Sequence, residues 1–227
     1  MKKIFALVVV LVAVALSGTN TFAQKGFEGV ISYKISVKGE GADQMKAFMP
    51  TKMEVFAKAD GNGKVKMDGM MPQDLLILKN VTYMLKATEK VAYKMPDKSK
   101  QGEKSDEPKV IVTNTGEKLT IAGYECTRYV LDVEVKGQDG GTQSISMSVW
   151  TTEKIKVSDD AKSSMFQGMN AKVPGMVLKM KMGIGPVEME FLATEVKAVK
   201  QNAADFAIPA GYSIKDYDPS AMGGMGF

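Results

Sequence analysis

The stretch 117–152, EKLTIAGYECTRYVLDVEVKGQDGGTQSISMSVWTT, decides the fold class. Tyr129, Leu131, Val133 and Val135 alternate with Arg128, Val130, Asp132 and Glu134; beyond a glycine-rich turn, Ile145, Met147 and Val149 alternate with serines. Side chains of a strand return to the same face every second residue, so this spacing predicts a long antiparallel ribbon with one apolar face. The stretch also holds Cys126, Arg128 and Trp150, each the only residue of its type in the chain.

The same period recurs on both sides of the ribbon. Ile31, Tyr33, Ile35 and Val37 mark a first strand within Phe27 to Val37. Ala42 to Met49 reads as a short helix stopped by Pro50, because Met45 and Met49 lie four apart and share a face. Met53, Val55 and Ala57 lead to Asp60-Gly61-Asn62-Gly63, a hairpin signal, with Val65 and Met67 on the return. Short strands are expected at 75–78, 81–86 and 91–95. Residues 96–108 are a solvated loop by composition. Val110 to Val112 and Lys118 to Ile121 then lead into the ribbon.

After it, Ser158 to Asn170 is a helical candidate, with Ser158 as cap, Asp159 and Asp160 in the first turn, and Ala161, Met165 and Met169 repeating at four. Met176, Leu178, Met180 and Met182 then alternate with Val177, Lys179 and Lys181. A Gly183 to Pro186 loop leads back through Val187, Met189, Phe191 and Ala193. A four-residue loop would set Lys181 opposite Glu188, Lys179 opposite Glu190, Met180 opposite Met189 and Met182 opposite Val187. One face is then opposite-charge pairs and the other wholly apolar. Phe206 to Tyr212 reads as a short edge strand, since Pro209 is excluded from a sheet interior, and 222–227 as a flexible tail.

About ten short strands, two short helices and no βαβ alternation predict a mostly β, α+β chain. The expected architecture is one large curved antiparallel sheet with a few short helices on one side.

The N-terminus sets the compartment. Lys2 and Lys3 precede an apolar run from Ile4 to Leu16, and Thr21-Phe22-Ala23 offers a cleavage site. Residues 1–23 therefore read as a signal peptide and 24–227 as one exported domain. The 13-residue run is too short to span a bilayer, which needs about 20 residues. A lipid anchor would require cysteine after Leu16-Ser17-Gly18, where Thr19 stands, so a soluble periplasmic or secreted protein is expected. Without Lys2 and Lys3, the 30 basic residues become 28 against 26 acidic ones, a near-balance that argues against a nucleic-acid partner.

Catalysis has little to stand on. There is no histidine and only one cysteine, so the common nucleophilic triads and His/Cys metal sites cannot be assembled. Cys126 reads as a buried small hydrophobe or as a reactive thiol. Arg128 reads as the partner of Asp132 or Glu134, or as a receptor for a ligand head group. The outlier is methionine, at 18 residues. It serves as core filler, as an adaptable lining for a hydrophobic ligand, or as a set of thioethers for Cu(I) through Met45, Met49 and Met53. The preferred lining is Met180, Met182, Met189 and Phe191 with Met165, Met169 and Met147, and neither a cofactor nor a metal is assigned. The residues point to non-enzymatic binding of a hydrophobic ligand, with an envelope sensor or protein-interaction domain as the alternative.

Short motifs point the same way. Gly116-Glu117-Lys118, Thr120 to Cys126 and Val149-Trp150-Thr151, with Phe27 to Tyr33 and Ile208 to Tyr212 at the two ends, resemble an uncharacterised exported bacterial family with a Gly-Tyr-Lys-Cys-type motif. Glu125 stands where that motif has lysine. The family is remotely similar to the periplasmic lipoprotein carriers of the LolA/LolB-like fold. The resemblance implies a half-open antiparallel barrel whose apolar concave face, covered by helices, holds acyl chains, and it assigns no individual ligand residue.

Overall fold

A computed structural model describes residues 26–46, 49–69, 73–79, 81–96, 109–136, 142–157 and 173–217. In chain order the elements are β1 (Gly29–Gly39), α1 (Ala42–Lys46), β2 (Lys52–Ala57), β3 (Gly63–Met67), β4 (Gln73–Leu78), β5 (Val81–Lys86) and β6 (Val91–Lys94). They continue with β7 (Lys109–Ile121), β8 (Tyr124–Lys136), β9 (Thr142–Thr152), β10 (Met176–Ile184), β11 (Val187–Ala198), a 3-10 turn (Ala203–Phe206) and β12 (Ser213–Asp216). All twelve strands join one open, curved sheet in the order β12-β6-β5-β4-β3-β2-β1-β11-β10-β9-β8-β7. The chain is mostly β, as its alternation predicts.

Consecutive strands pair with each other except β6 with β7 and β11 with β12. β1 and β11 meet in the middle of the sheet, in register from Gly29 opposite Ala198 to Gly39 opposite Val187. β12 pairs with β6, and this contact alone among the described ladders is parallel. β7 closes one edge instead of following β6.

Two expectations on hairpin geometry need correcting. In β10–β11, Met182 faces Met189, Met180 faces Phe191 and Lys181 faces Glu190, a shift of two residues from the register expected. The turn is Gly185-Pro186 and not four residues long, because Gly185 takes a φ of +59, the positive value that the first central position of a two-residue hairpin turn requires. A shift of two keeps Lys179 to Met182 and Val187 to Ala193 on their predicted faces. The register shift between Val177 and Lys179, however, puts Val177 on the inner side with Thr151 and Met176 on the outer side with Thr152, the reverse of the expected alternation. Val110 to Val112 and Lys118 to Ile121 belong to one strand, β7, interrupted by a register shift between Asn114 and Lys118 that contains Gly116 at φ +72.

Two others concern the ends of elements. The helix expected to Met49 is the single turn Ala42–Lys46. Phe206 to Tyr212 forms no strand; the edge strand follows at Ser213. Phe206, Ile208 and Tyr212 instead pack on the sheet beside Leu76, Leu85 and Ala92. The helix expected at 158–170, the 97–108 loop and the 222–227 tail lie outside the described residues.

Burial assigns the faces. Ile31, Val55, Val65, Leu131, Val149 and Met180 share one extended buried cluster, and the ladders place them on one side, the inner face. Burying each such side chain contributes roughly 1.5–3 kcal/mol, which is what holds so wide a sheet together. On the inner face the Tyr33 hydroxyl reaches from β1 over β11 to β10 and donates to the Val177 carbonyl at 2.7 Å. α1 sits at one end of this face, where Ala42 is buried with Val37, Val187 and Met189.

Candidate functional site: the inner face of the sheet

Following the ladders strand by strand gives continuous apolar rows on the inner face. One row runs Val112, Leu131, Met147, Met182, Met189, Val37 from β7 to β1. The next runs Tyr129, Val149, Met180, Phe191, Ile35. Farther along, Tyr33 faces Met53 and Met53 faces Met67, while Ile31, Val55, Val65, Leu75, Met84 and Tyr93 form a row that reaches β6.

Of the residues the sequence singles out, Met147, Met180, Met182, Met189 and Phe191 stand side by side in two adjacent rows. Met165 and Met169 lie outside the described residues. Met147, Met180 and Met189 are sealed, whereas Met182 and Phe191 are partly exposed, as are Val110, Val112 and Ile145 on the neighbouring strands. The face is closed at its centre and loosens toward the end where β9 starts and β10 turns into β11. Met49 and Met53 are separated: Met53 belongs to the central cluster and Met49 packs against the end cluster of Met189, while the Met45 side chain lies outside what the structure describes.

The unique residues of β8 and β9 occupy different surroundings. Cys126 is fully buried and burial pushes its thiol up to about 11, so it behaves as a small hydrophobe and not as a thiolate nucleophile. Arg128 does not pair with Asp132 or Glu134. The β7 irregularity brings Glu117 within 2.7 Å of its Nη1, and Nη2 donates to the Ser148 hydroxyl at 3.0 Å. Arg128 and Lys179 flank Trp150 on the outer face, 5.3 and 4.9 Å from the indole centre. Sequence spacing does not reveal this stack, since it needs the cross-strand pairs Arg128 with Trp150 and Trp150 with Lys179.

These residues line a shallow outer groove of about 510 Å³ with Lys181 and Glu188 at its rim. Lys179 and Lys181 contact Glu190 at 3.3 and 3.4 Å, and Lys181 contacts Glu188 at 3.2 Å. The outer groove is therefore charged but internally paired, and the inner face is apolar.

Among the described residues, no helix is long and apolar enough to cross a membrane and no group of His, Cys, Asp and Glu gathers in a metal-binding arrangement. No curated protein matches the chain. Among solved structures, LprF from Mycobacterium bovis is similar over 82% of this chain and 90% of its own, at 13% identity and a TM-score of 0.34. A family model described as a domain of unknown function, DUF4412, matches residues 27–212, from the Phe27 segment that opens β1 to Tyr212 just before β12, and the chain belongs to that family.

Proposed function

We propose that the protein is an exported, non-enzymatic carrier that holds a lipid, an acyl chain or the lipid moiety of a lipoprotein against the inner face of its sheet. Residues 1–23 serve as its signal peptide. The observation that carries this reading is the pair of rows through Met147–Met182–Met189 and Met180–Phe191, sealed in the middle and partly open at one end. Methionine suits such a lining because its unbranched, polarizable side chain repacks around irregular apolar guests. The LolA/LolB-like resemblance of the sequence points the same way.

The full chain, expressed with its leader and purified from the extracytoplasmic fraction, should carry extractable lipid detectable by mass spectrometry and should bind a fluorescent fatty acid. Phe191→Ala and Met182→Ala should each weaken that probe by about tenfold, the equivalent of 1.4 kcal/mol. Protein free of lipid that also ignores the probe would remove the carrier reading.

A second reading, docking of an envelope protein by strand addition, is favoured by β7. This thirteen-residue edge strand exposes Ile111 and Leu119 at 47% and 41%. Capture of one specific envelope protein that is lost on Ile111→Lys would support it; capture that ignores this change would not.

A further inference from the structure

We propose that Met147, Met182 and Met189, with Met49 beside them, form a thioether site for a soft monovalent metal ion, Cu(I) or its surrogate Ag(I). The inference goes beyond the carrier reading and does not depend on it.

Register is the first observation. Met147 on β9 faces Met182 on β10, and Met182 faces Met189 on β11, so three methionines stand in one row on consecutive strands of one face. Directly opposed residues have Cβ atoms roughly 4.5–5.5 Å apart. Methionine's unbranched side chain with three rotatable bonds lets sulfurs at that spacing converge without backbone movement. Met49, just after α1, packs into the same end cluster as Met182 and Met189, which supplies a fourth thioether.

Surroundings are the second observation. Met147 and Met189 are 2% and 7% exposed, and Met182 is partly exposed. Leu131, Val37, Phe191 and Ala42 border the row, while Glu188, Glu190 and the lysines paired with them lie on the opposite face. A row of neutral thioethers among apolar side chains imposes a desolvation penalty on any cation, which only strong sulfur bonding offsets. Thioethers select Cu(I), whereas Zn(II) and Cu(II) need imidazole, thiolate or carboxylate donors. Met53 and Met67 face each other on β2 and β3 as an isolated pair of the same chemistry, and they serve as the internal control.

The test uses the full mature chain, delipidated and handled without oxygen. It combines titration with Ag(I), Cu(I) competition against a chromophoric chelator, and X-ray absorption on the loaded protein. The expected result is one equivalent bound with a sulfur-only scattering shell. Binding should weaken by about 100-fold or more in the volume-conserving M147L/M182L/M189L variant and change little in M53L/M67L. Should the triple variant fail to show a cooperative melt, M182L alone carries the test, because Met182 neighbours both others, with a loss of about tenfold expected. Absence of stoichiometric binding by the folded wild type overturns the site, as does equal binding by the variant or a loss that follows Met53 and Met67. None of these outcomes alters the fatty-acid result, which is read without metal.

Discussion

Two neighbourhoods of the same sheet bury their apolar residues by different means. In the β10–β11 hairpin, Met180, Met182, Met189 and Phe191 point inward, while Lys179, Lys181, Glu188 and Glu190 face out and pair with one another. In the β4–β6 meander both faces are apolar: Leu75 and Met84 belong to inner clusters, and Leu76, Leu85 and Ala92 are buried on the other side. The second burial is possible because Phe206, Ile208 and Tyr212 are laid over the outer face before β12 pairs with β6. A hairpin with one apolar face advertises itself by alternation. A strand buried on both faces depends on a cover that arrives more than a hundred residues later.

Removing the cover should therefore have the largest effect. Phe206→Ala should cost about 3–5 kcal/mol by urea denaturation, the usual range for a buried aromatic truncated to alanine. Leu76→Ala should cost about 2–5 kcal/mol. Because the two side chains share one cluster, the double variant should lose less than the sum by about 0.5 kcal/mol or more. Strict additivity would mean that the C-terminal segment does not pack on β4. Met180→Ala combined with Phe206→Ala should be additive, since the two residues belong to different clusters.

The buried Tyr33 hydrogen bond on the inner face comes next. Tyr33→Phe keeps the ring but leaves the buried Val177 carbonyl without its hydroxyl donor, at a cost of about 1–3 kcal/mol. Burial raises the Tyr33 phenol above its ordinary range, so its contribution is complete below about pH 10, where the unfolded phenol titrates, and is lost as pH rises further. The variant should show a shallower alkaline limb in its unfolding curve. Cys126, raised in the same direction, should resist a thiol reagent at pH 8 until the protein unfolds.

What the sequence disclosed follows the same division. The ribbon from Glu117 to Thr152 and the faces of the β10–β11 hairpin from Lys179 to Ala193 are legible because alternation is local, whereas Met176 and Val177 lie beyond a bulge that reverses them. The exact pairing was not legible: a turn shortened to Gly185-Pro186 moves every pair by two residues and leaves no trace in polarity. The bulges at Ser32/Tyr33, Val177/Lys179 and Asn114/Lys118 are equally silent, and the last of them delivers Glu117 to Arg128. The Phe206 to Tyr212 segment mimics a strand in sequence because its apolar residues bury against Leu76 and Leu85 and not through ladder pairing. For the candidate site, Met180 and Phe191 were legible as one face. The Met147–Met182–Met189 row was not, because it joins residues from three strands whose register polarity alone does not fix.

The smallest expected effect lies on the charged side of the hairpin. Burial pushes the Glu190 carboxyl up, but Lys179 and Lys181 more than offset it, so its pKa is held below the ordinary value. A depressed carboxylate contributes stability that is complete above the unfolded pKa of about 4.3 and is lost as pH falls through the lower folded value. Glu190→Gln should therefore cost about 1 kcal/mol or less at pH 7, since the pairs are near the surface. The difference from wild type should shrink below pH 4, leaving the variant with a flatter acid limb. Glu195→Gln, on the same strand with an exposed Lys197 partner, should stay within about 0.5 kcal/mol at pH 7. Equal acid limbs for Glu190→Gln and wild type would show that the outer-face ion pairs follow the apolar register without stabilising it, leaving the inner rows alone to hold β10 against β11.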